Sequence, residues 1–291
     1  MIPFRRVLFP VDFSESCRLA VPYVKDMVRQ FSAELLVLRA LDYPSVDLVD
    51  VGVSETMVPT GISRPEIEQG QRDRLAEFVT HYLPDMDARP IVREGDPANT
   101  IIDVVKSETV DLIMMPTRGK GAFRRLLLGS VTGKVLHDAD CAVWTDTHMA
   151  LETHRPSVPY KSIVCAVGLT EESAAVLVGA GAIAKEYGAT LHLVHSVETP
   201  PASYEVDFGP FRKELVDSAE ATLSRLRREA DLEATICVGS GAVAEVVREQ
   251  CEKMHADLVI TGRGHAQGGL SRVWSALYSI VREAPCPVLS I

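Results

Sequence analysis

The chain has 291 residues and a mass of 31.8 kDa, which is long for one doubly wound domain and sufficient for two. Its net charge of −10 and its pI near 5.3 argue against a general nucleic-acid binder, because an acidic surface repels phosphate backbones. No apolar run reaches the roughly 18 residues of a membrane-spanning helix, and the six cysteines include no CxxC pair, so we expect a cytoplasmic protein with mostly buried thiols and no membrane partner.

The first half of the chain alternates apolar runs with helical stretches. The runs RRVLFPV, ELLVLRAL, ARPIVRE, DLIMMP and CAVWT are typical of strands buried on both faces. Two helices are predicted between them, in SESCRLAVPYVKDMVRQF with Ser14 as N-cap and in RPEIEQGQRDRLAEFVTHYL. This alternation predicts an α/β fold with a parallel sheet and helices on both faces. Ligands of such sheets bind beyond the carboxyl ends of the strands, at the point where the strand order reverses.

The second half repeats the first. MIPFRRVLFPVDFSES, VREGDPANTIIDVV, VDLIMMPTRGKG and VLHDADCAVW recur in the same order as VPYKSIVCAVGLTEES, CVGSGAVAEVV, ADLVITGRGHA and IVREAPCPVL. We therefore expect two related domains, 1–148 and 159–291, joined by a polar linker at 149–158. The equivalent apolar runs CAVWT and CPVLSI end the two halves, and an unpaired apolar edge strand invites aggregation, so we expect them to pair and to join the halves as an intramolecular pseudo-dimer.

One segment of the first half is suited to binding an anion. After the DLIMM run comes PTRGKGAFRRLLLGSVTGKVL, in which Gly119 allows close backbone approach to a phosphate. A helix start at Gly129, Ser130 and Val131 would then offer N–H groups, and Ser130 a hydroxyl. Positive charge is predicted at the same edge, from Arg118, Lys120, Arg124 and Arg125. Asp12, at the end of the first strand, is placed to accept a hydrogen bond from a ribose hydroxyl.

These residues resemble the signature of the universal stress protein family, and the whole chain resembles its tandem two-domain form. The family's pattern is Gly-x2-Gly-x9-Gly-Ser/Thr with an aspartate after the first strand. Gly119, Gly129, Ser130 and Asp12 match it, while Pro116 stands where the first glycine is expected and donates no N–H. The resemblance implies Rossmann-like domains that bind ATP or a related adenine nucleotide, with Mg²⁺ a candidate companion ion. It implies further contacts at Pro10, Ala40, Met115 and Val131, and neither a catalytic residue nor a protein-held metal.

The second half departs further from this pattern. Gly168 replaces Asp12, and Trp274, followed by Ser275, replaces Gly129. An indole would fill the space that a phosphate needs, so we expect this site to be closed and one nucleotide to bind per chain. Three further motifs are interpreted as structural: GSVTGKV, which lacks P-loop spacing, GSGAVA, which repeats an ordinary turn, and His192 with His195, which would lie on opposite strand faces.

The sequence favours a non-enzymatic stress-response or signalling module. Phosphoryl transfer generally needs a metal-holding carboxylate near the phosphates, and the glycine-bearing segment contains only basic and small candidates. Two alternatives stay open: a slow ATPase or phosphotransferase, and a scaffold that binds nothing if Pro116 abolishes affinity. The protein partner and a homodimer of tandem chains stay open as well.

Overall fold

The structure is a computed structural model that describes residues 4–42, 64–117, 128–146, 158–170, 172–197, 209–263 and 272–291. The first half contains β1 (Arg6–Pro10), α1 (Glu15–Phe31), β2 (Glu34–Leu41), α2 (Arg64–Tyr82), β3 (Ala88–Glu94), α3 (Pro97–Glu108), β4 (Leu112–Met115), α4 (Ser130–Asp138) and β5 (Ala142–Thr145). The second half contains β6 (Ser162–Ala166), α5 (Ser173–Tyr187), β7 (Thr190–Val197), α6 (Gly209–Glu229), β8 (Ala234–Ser240), α7 (Val243–Met254), β9 (Leu258–Thr261), α8 (Arg272–Glu283) and β10 (Val288–Ser290).

The described strands form one sheet in the order β3-β2-β1-β4-β5-β10-β9-β6-β7-β8. Strands are parallel within each half, and β5 pairs with β10 antiparallel, with Val288 opposite Thr145 and Ser290 opposite Val143. The predicted pairing of CAVWT with CPVLSI is therefore confirmed, and the two halves share a single sheet.

Local chemistry explains where the predicted helices begin and end. Ser14 caps α1 by accepting a hydrogen bond from the Cys17 N–H at 3.3 Å, as the sequence predicts. The helix ends at Ser32, whose left-handed backbone turns its N–H back to the carbonyls of Val28 and Arg29. In α3, Asp96 caps the Asn99 N–H at 2.9 Å, and a proline occupies the first helical position.

Helices cover both faces of the sheet, with α1, α2, α5 and α6 on one face and α3, α4, α7 and α8 on the other. Each layer buries apolar residues from both halves, so the core is continuous across the β5–β10 pair. The expectation that every strand is buried on both faces is wrong for β3. That strand lies at the edge of the sheet, so Arg89, Pro90, Arg93 and Glu94 are exposed.

Buried polar contacts also join the halves. The Trp144 indole N–H donates to the Tyr160 hydroxyl at 3.0 Å, and the Tyr187 hydroxyl donates to Asp26 at 2.9 Å. The Arg263 guanidinium, only 8% exposed, donates to the carbonyls of Ala139, at 2.5 Å, and Cys141 in the other half. All six cysteines are free thiols. None of the described helices is both long enough and apolar enough to span a membrane.

Candidate functional site

The strand order of the first half reverses between β1 and β4. From β1 the sheet continues to β2 on one side and to β4 on the other, so the loops that follow β1 and β4 diverge. Such a divergence leaves a crevice at the carboxyl ends of the strands. Asp12 follows β1, and Pro116 and Thr117 follow β4, so the fold brings predicted site residues to this crevice.

The Asp12 carboxylate is held in a defined orientation. Its Oδ1 accepts a hydrogen bond from the Ser14 N–H at 2.9 Å and another from the Cys17 thiol at 3.0 Å. Burial and the neighbouring Asp12 charge raise the pKa of Cys17 to about 12, so the thiol stays protonated and remains a donor. The carboxylate is half-buried, which places a preoriented acceptor at the end of β1.

Two arginines that sequence patterns do not indicate lie against the ring of Phe13, the residue after Asp12. Arg39, near the end of β2, donates to the Val11 carbonyl at 3.4 Å and to Gln71 of α2 at 3.2 Å. The guanidinium carbons of Arg39 and Arg74 lie 5.3 and 4.6 Å from the centroid of the Phe13 ring. Burial lowers the pKa of Arg39, and the nearby Asp12 charge opposes that shift. The edge of the crevice at Asp12 therefore carries positive charge as well as a carboxylate.

The start of α4 differs in one respect from the expectation. Gly129 is the N-cap, but its N–H donates to the Thr117 carbonyl at 3.0 Å, so the prediction that all three N–H groups are offered to an anion is wrong for Gly129. The N–H groups of Ser130 and Val131 belong to the first turn, where no intrahelical acceptor exists. No side chain caps them within the described residues, and the Ser130 side chain is exposed.

The segment after β4 is fixed by polar contacts. The Thr117 N–H and hydroxyl both donate to Asp146 Oδ1, at 2.6 and 2.9 Å, and the Thr132 hydroxyl donates to the Pro116 carbonyl at 3.1 Å. The expectation of only basic and small residues here is wrong, because the sheet brings Asp146 from the end of β5. Polar residues directly after β4 and β5 were the sequence signal that could have identified Thr117 and Asp146.

The other predicted residues fall into two groups. Pro10 ends β1, Ala40 lies near the end of β2, and Met115 ends β4 with little exposure, so all three lie at the carboxyl edge of the sheet. Arg118, Gly119 and Lys120, like Arg124 and Arg125, lie outside the described residues. Within the described ranges, no three His, Cys, Asp or Glu side chains converge as metal ligands.

Of two depressions on the surface, one borders the crevice near Asp12 and the other is remote from it. A groove of about 850 Å³ between α1 and α2 is walled by Phe13, Arg18 and Arg74, and the guanidinium of Arg39 lies over the same Phe13 ring. A cleft of about 450 Å³ near Arg5 and Asp111 lies at the opposite edge of the sheet, where the strands begin, and so is remote from Asp12.

The second half places different chemistry at the equivalent edge. Gly168 is exposed where Asp12 stands, and His195 replaces Arg39, with its Nδ1 2.7 Å from the Val167 carbonyl oxygen. Helix α8 begins at Arg272, so Trp274 is its third residue, whereas the matching Gly129 precedes α4. The Ser275 N–H consequently lies past the first three amides of its helix. The Trp274 side chain lies outside the described residues, so the expected blockage stays a prediction.

Comparisons with known proteins point to one family. The model of the "Universal stress protein family" matches residues 3–145 and again 159–291. A universal stress protein of Methanothermobacter thermautotrophicus is 32% identical over 140 residues, which cover 48% of this chain and 93% of that protein. Two solved structures share the tandem fold. A protein of unknown function from Pseudomonas aeruginosa PAO1 superposes with a TM-score of 0.68 and 16% identity, and the match covers 99% of this chain and 92% of that one. A universal stress protein from Archaeoglobus fulgidus superposes with a TM-score of 0.66 and 20% identity, and the match covers 98% of this chain and 95% of that one.

Proposed function

Since the chain belongs to the universal stress protein family, we propose that its first half binds one adenine nucleotide, with ATP as the first candidate, and that it acts as a non-enzymatic stress-signalling module. The observation that carries the proposal is the convergence, at one reversal of strand order, of the oriented Asp12 carboxylate and the uncapped first turn of α4.

Each part of a nucleotide finds a matching group in this arrangement. Asp12 accepts from a ribose hydroxyl, while the N–H groups of Ser130 and Val131, the Ser130 hydroxyl and the helix dipole take phosphate oxygens. Main-chain groups at Pro10 and Ala40 bind the adenine, and Met115 with Val131 supplies apolar contact. Pro116 removes one donor, but its carbonyl is already used by Thr132. The basic residues Arg118 and Lys120, with Gly119, are proposed to complete the phosphate side.

Asymmetry between the halves supports a stoichiometry of one. Gly168 offers no carboxylate, and the first-turn amides of α8 are shifted away from Ser275. With a single site, the second half would bind no nucleotide and would only pack against the first half through the shared sheet.

ATP hydrolysis is the second candidate, and Asp146 is the observation that favours it. This carboxylate lies beside the proposed phosphate site, where an enzyme could hold Mg²⁺. Its Oδ1 already accepts two hydrogen bonds from Thr117, which suits an anchor of the segment after β4 better than a metal ligand. Phosphate release from ATP and Mg²⁺, compared between the wild type and Asp146→Asn, distinguishes the two roles.

Calorimetry on the full chain tests the proposal. We expect one equivalent of ATP to bind, and Asp12→Ala to weaken binding by roughly 1.5–3 kcal/mol, the scale of a hydrogen bond to a charged group. The matched control is Asp103→Ala, which removes an exposed carboxylate of α3 and should leave the affinity unchanged. Two equivalents, or equal affinity in the Asp12 variant and the wild type, would contradict the proposed site. Mass spectrometry of the freshly purified, denatured protein would identify any nucleotide that co-purifies.

A further inference from the structure

The two outer strands of the sheet, β3 and β8, occupy equivalent places in the two halves but differ in chemistry. Their registers with β2 and β7 align them residue by residue. Every charged residue and the proline of β3 are replaced in β8 by uncharged residues, in the pairs Arg89 and Thr235, Pro90 and Ile236, Arg93 and Gly239, Glu94 and Ser240. The seven residues of β8 therefore carry no charge and no proline.

This difference matters because an outer strand presents unpaired main-chain groups. Natural proteins protect such edges with charged side chains and proline, which oppose the addition of another strand. β3 has both forms of protection, whereas β8 has neither. Six of the seven residues of β8 are only partly exposed, and Ile236, Cys237 and Val238 lie at its centre. β8 is thus the open edge of this sheet.

The directions of the main-chain groups along β8 follow from one hydrogen bond. The Gly241 N–H donates to the Val197 carbonyl of β7 at 3.1 Å. Because successive residues of a strand alternate in direction, Cys237 also faces β7, while Ile236 and Val238 point outward. The outward carbonyl of Ala234 accepts from Arg227 at 2.9 Å. Among the described residues, none pairs with the outward N–H and C=O groups of Ile236 and Val238.

We propose that β8 is an interface for a second copy of this chain, paired antiparallel with its own β8 about a two-fold axis at Cys237. An uncharged strand is complementary to itself in this arrangement. Ile236 lies opposite Val238 of the second copy, and the main-chain N–H and C=O of each residue form hydrogen bonds with those of the other. The chain already forms one antiparallel edge pair, between β5 and β10. Cys237 then lies opposite its own counterpart as a non-hydrogen-bonded pair, with Cα atoms about 4.5 Å apart.

Sedimentation velocity over a range of concentrations tests this interface. We expect a reversible dimer in the wild type and a monomer in the double variant Thr235→Arg/Ile236→Pro, which copies the residues of β3. The first half tolerates arginine and proline at these places, and circular dichroism verifies that the variant is folded. The matched control is Thr80→Arg, the same change at an exposed residue of α2, which should leave the dimer intact. A wild type that is monomeric at every concentration overturns the proposal, as does a folded double variant that still dimerises.

Disulfide trapping provides a readout that does not depend on the double variant. Diamide takes up two hydrogens while two thiols form one disulfide, and the short Cα separation at Cys237 permits that bond. We expect a covalent dimer on a non-reducing gel, and none with Cys237→Ser. Four of the other five cysteines are buried. Failure of the wild-type dimer to cross-link, or unchanged cross-linking of Cys237→Ser, shows that another surface joins the copies.

Discussion

At the scale of single residues, Asp26 is a carboxyl group whose protonation is linked to stability. It lies on α1 and accepts a hydrogen bond from Tyr187 of the other half. Burial raises the pKa of Asp26, and this effect exceeds the opposing effects of the Tyr187 hydrogen bond and the Arg29 charge. A carboxyl whose pKa is raised by folding binds its proton more tightly in the folded state. Its ionisation therefore costs stability above the folded pKa, and that cost is absent below its ordinary value of 3.8.

Asp26→Asn should accordingly raise the free energy of unfolding at neutral pH, because the amide still accepts from Tyr187 but carries no charge. The advantage over the wild type should shrink as the pH falls through the raised pKa towards 3.8. Urea unfolding at several pH values measures both effects, and Asp103→Asn on the surface of α3 is the matched control. A gain that is independent of pH would show that charge burial is not its cause.

At the scale of elements, the start of α4 raises the question of why its N-cap residue is the glycine Gly129. Gly129 has φ −60° and ψ 142°, a conformation open to every residue, so the backbone does not require glycine there. We propose instead that glycine at this position lets a phosphate approach the amides of Ser130 and Val131. The side chain at position 129 is therefore a direct probe of the proposed nucleotide site.

Gly129→Trp, which copies Trp274, should abolish ATP binding in calorimetry while changing the free energy of unfolding by less than about 1 kcal/mol, the range of most substitutions outside the core. Gly129→Ala is the graded control and should weaken binding less, because a methyl group fills little of the space. Trp274→Gly should not create a second site, since Gly168 still lacks a carboxylate. Normal binding by a folded Gly129→Trp protein would show that phosphate does not approach this helix start.

At the scale of the whole molecule, Arg263 ties the halves together at the end of α4. It follows β9 in the second half, and its guanidinium donates to the carbonyls of Ala139 and Cys141, which follow α4 in the first half. Burial lowers the pKa of Arg263, and the nearby Cys141 and Asp140 oppose that shift. One helix thus has the proposed phosphate site at its start and a residue of the other half at its end.

Replacing Arg263 by Met keeps much of the volume but leaves both carbonyls without their donor. We expect a loss of about 2–4 kcal/mol in the free energy of unfolding, the scale for buried hydrogen bonds to a charged group. Arg72→Met, which removes an exposed i,i+4 ion pair of α2, should cost less than about 1 kcal/mol. Equal losses in the two variants would mean that the contact between the halves contributes little.

Periodicity, repeats and short motifs in the sequence predict much of the secondary structure and the domain organisation of this protein. Apolar runs predicted the strands and Ser14 predicted the start of α1, because these features depend on neighbours in sequence. The junction of the halves was predicted for a different reason, since the repeat makes CAVWT and CPVLSI equivalent apolar strands. The candidate site was partly accessible in the same way, through Asp12, Gly129 and Ser130, since each follows a strand or begins a helix.

Tertiary structure decided which groups face one another. Asp146 reaches Thr117 because β5 lies beside β4, Arg39 meets Asp12 because β2 lies beside β1, and Arg263 crosses to Ala139 because the halves share one sheet. The sequence predicts that the Gly129 N–H faces an anion, whereas in the fold it donates to the Thr117 carbonyl. Local periodicity indicated the strands of the first half and its first two helices, the repeat indicated the second domain, and the spacing of the glycine motif indicated the family. Only the fold determined the polar pairs, because their partners are set by strand order and lie distant in the chain.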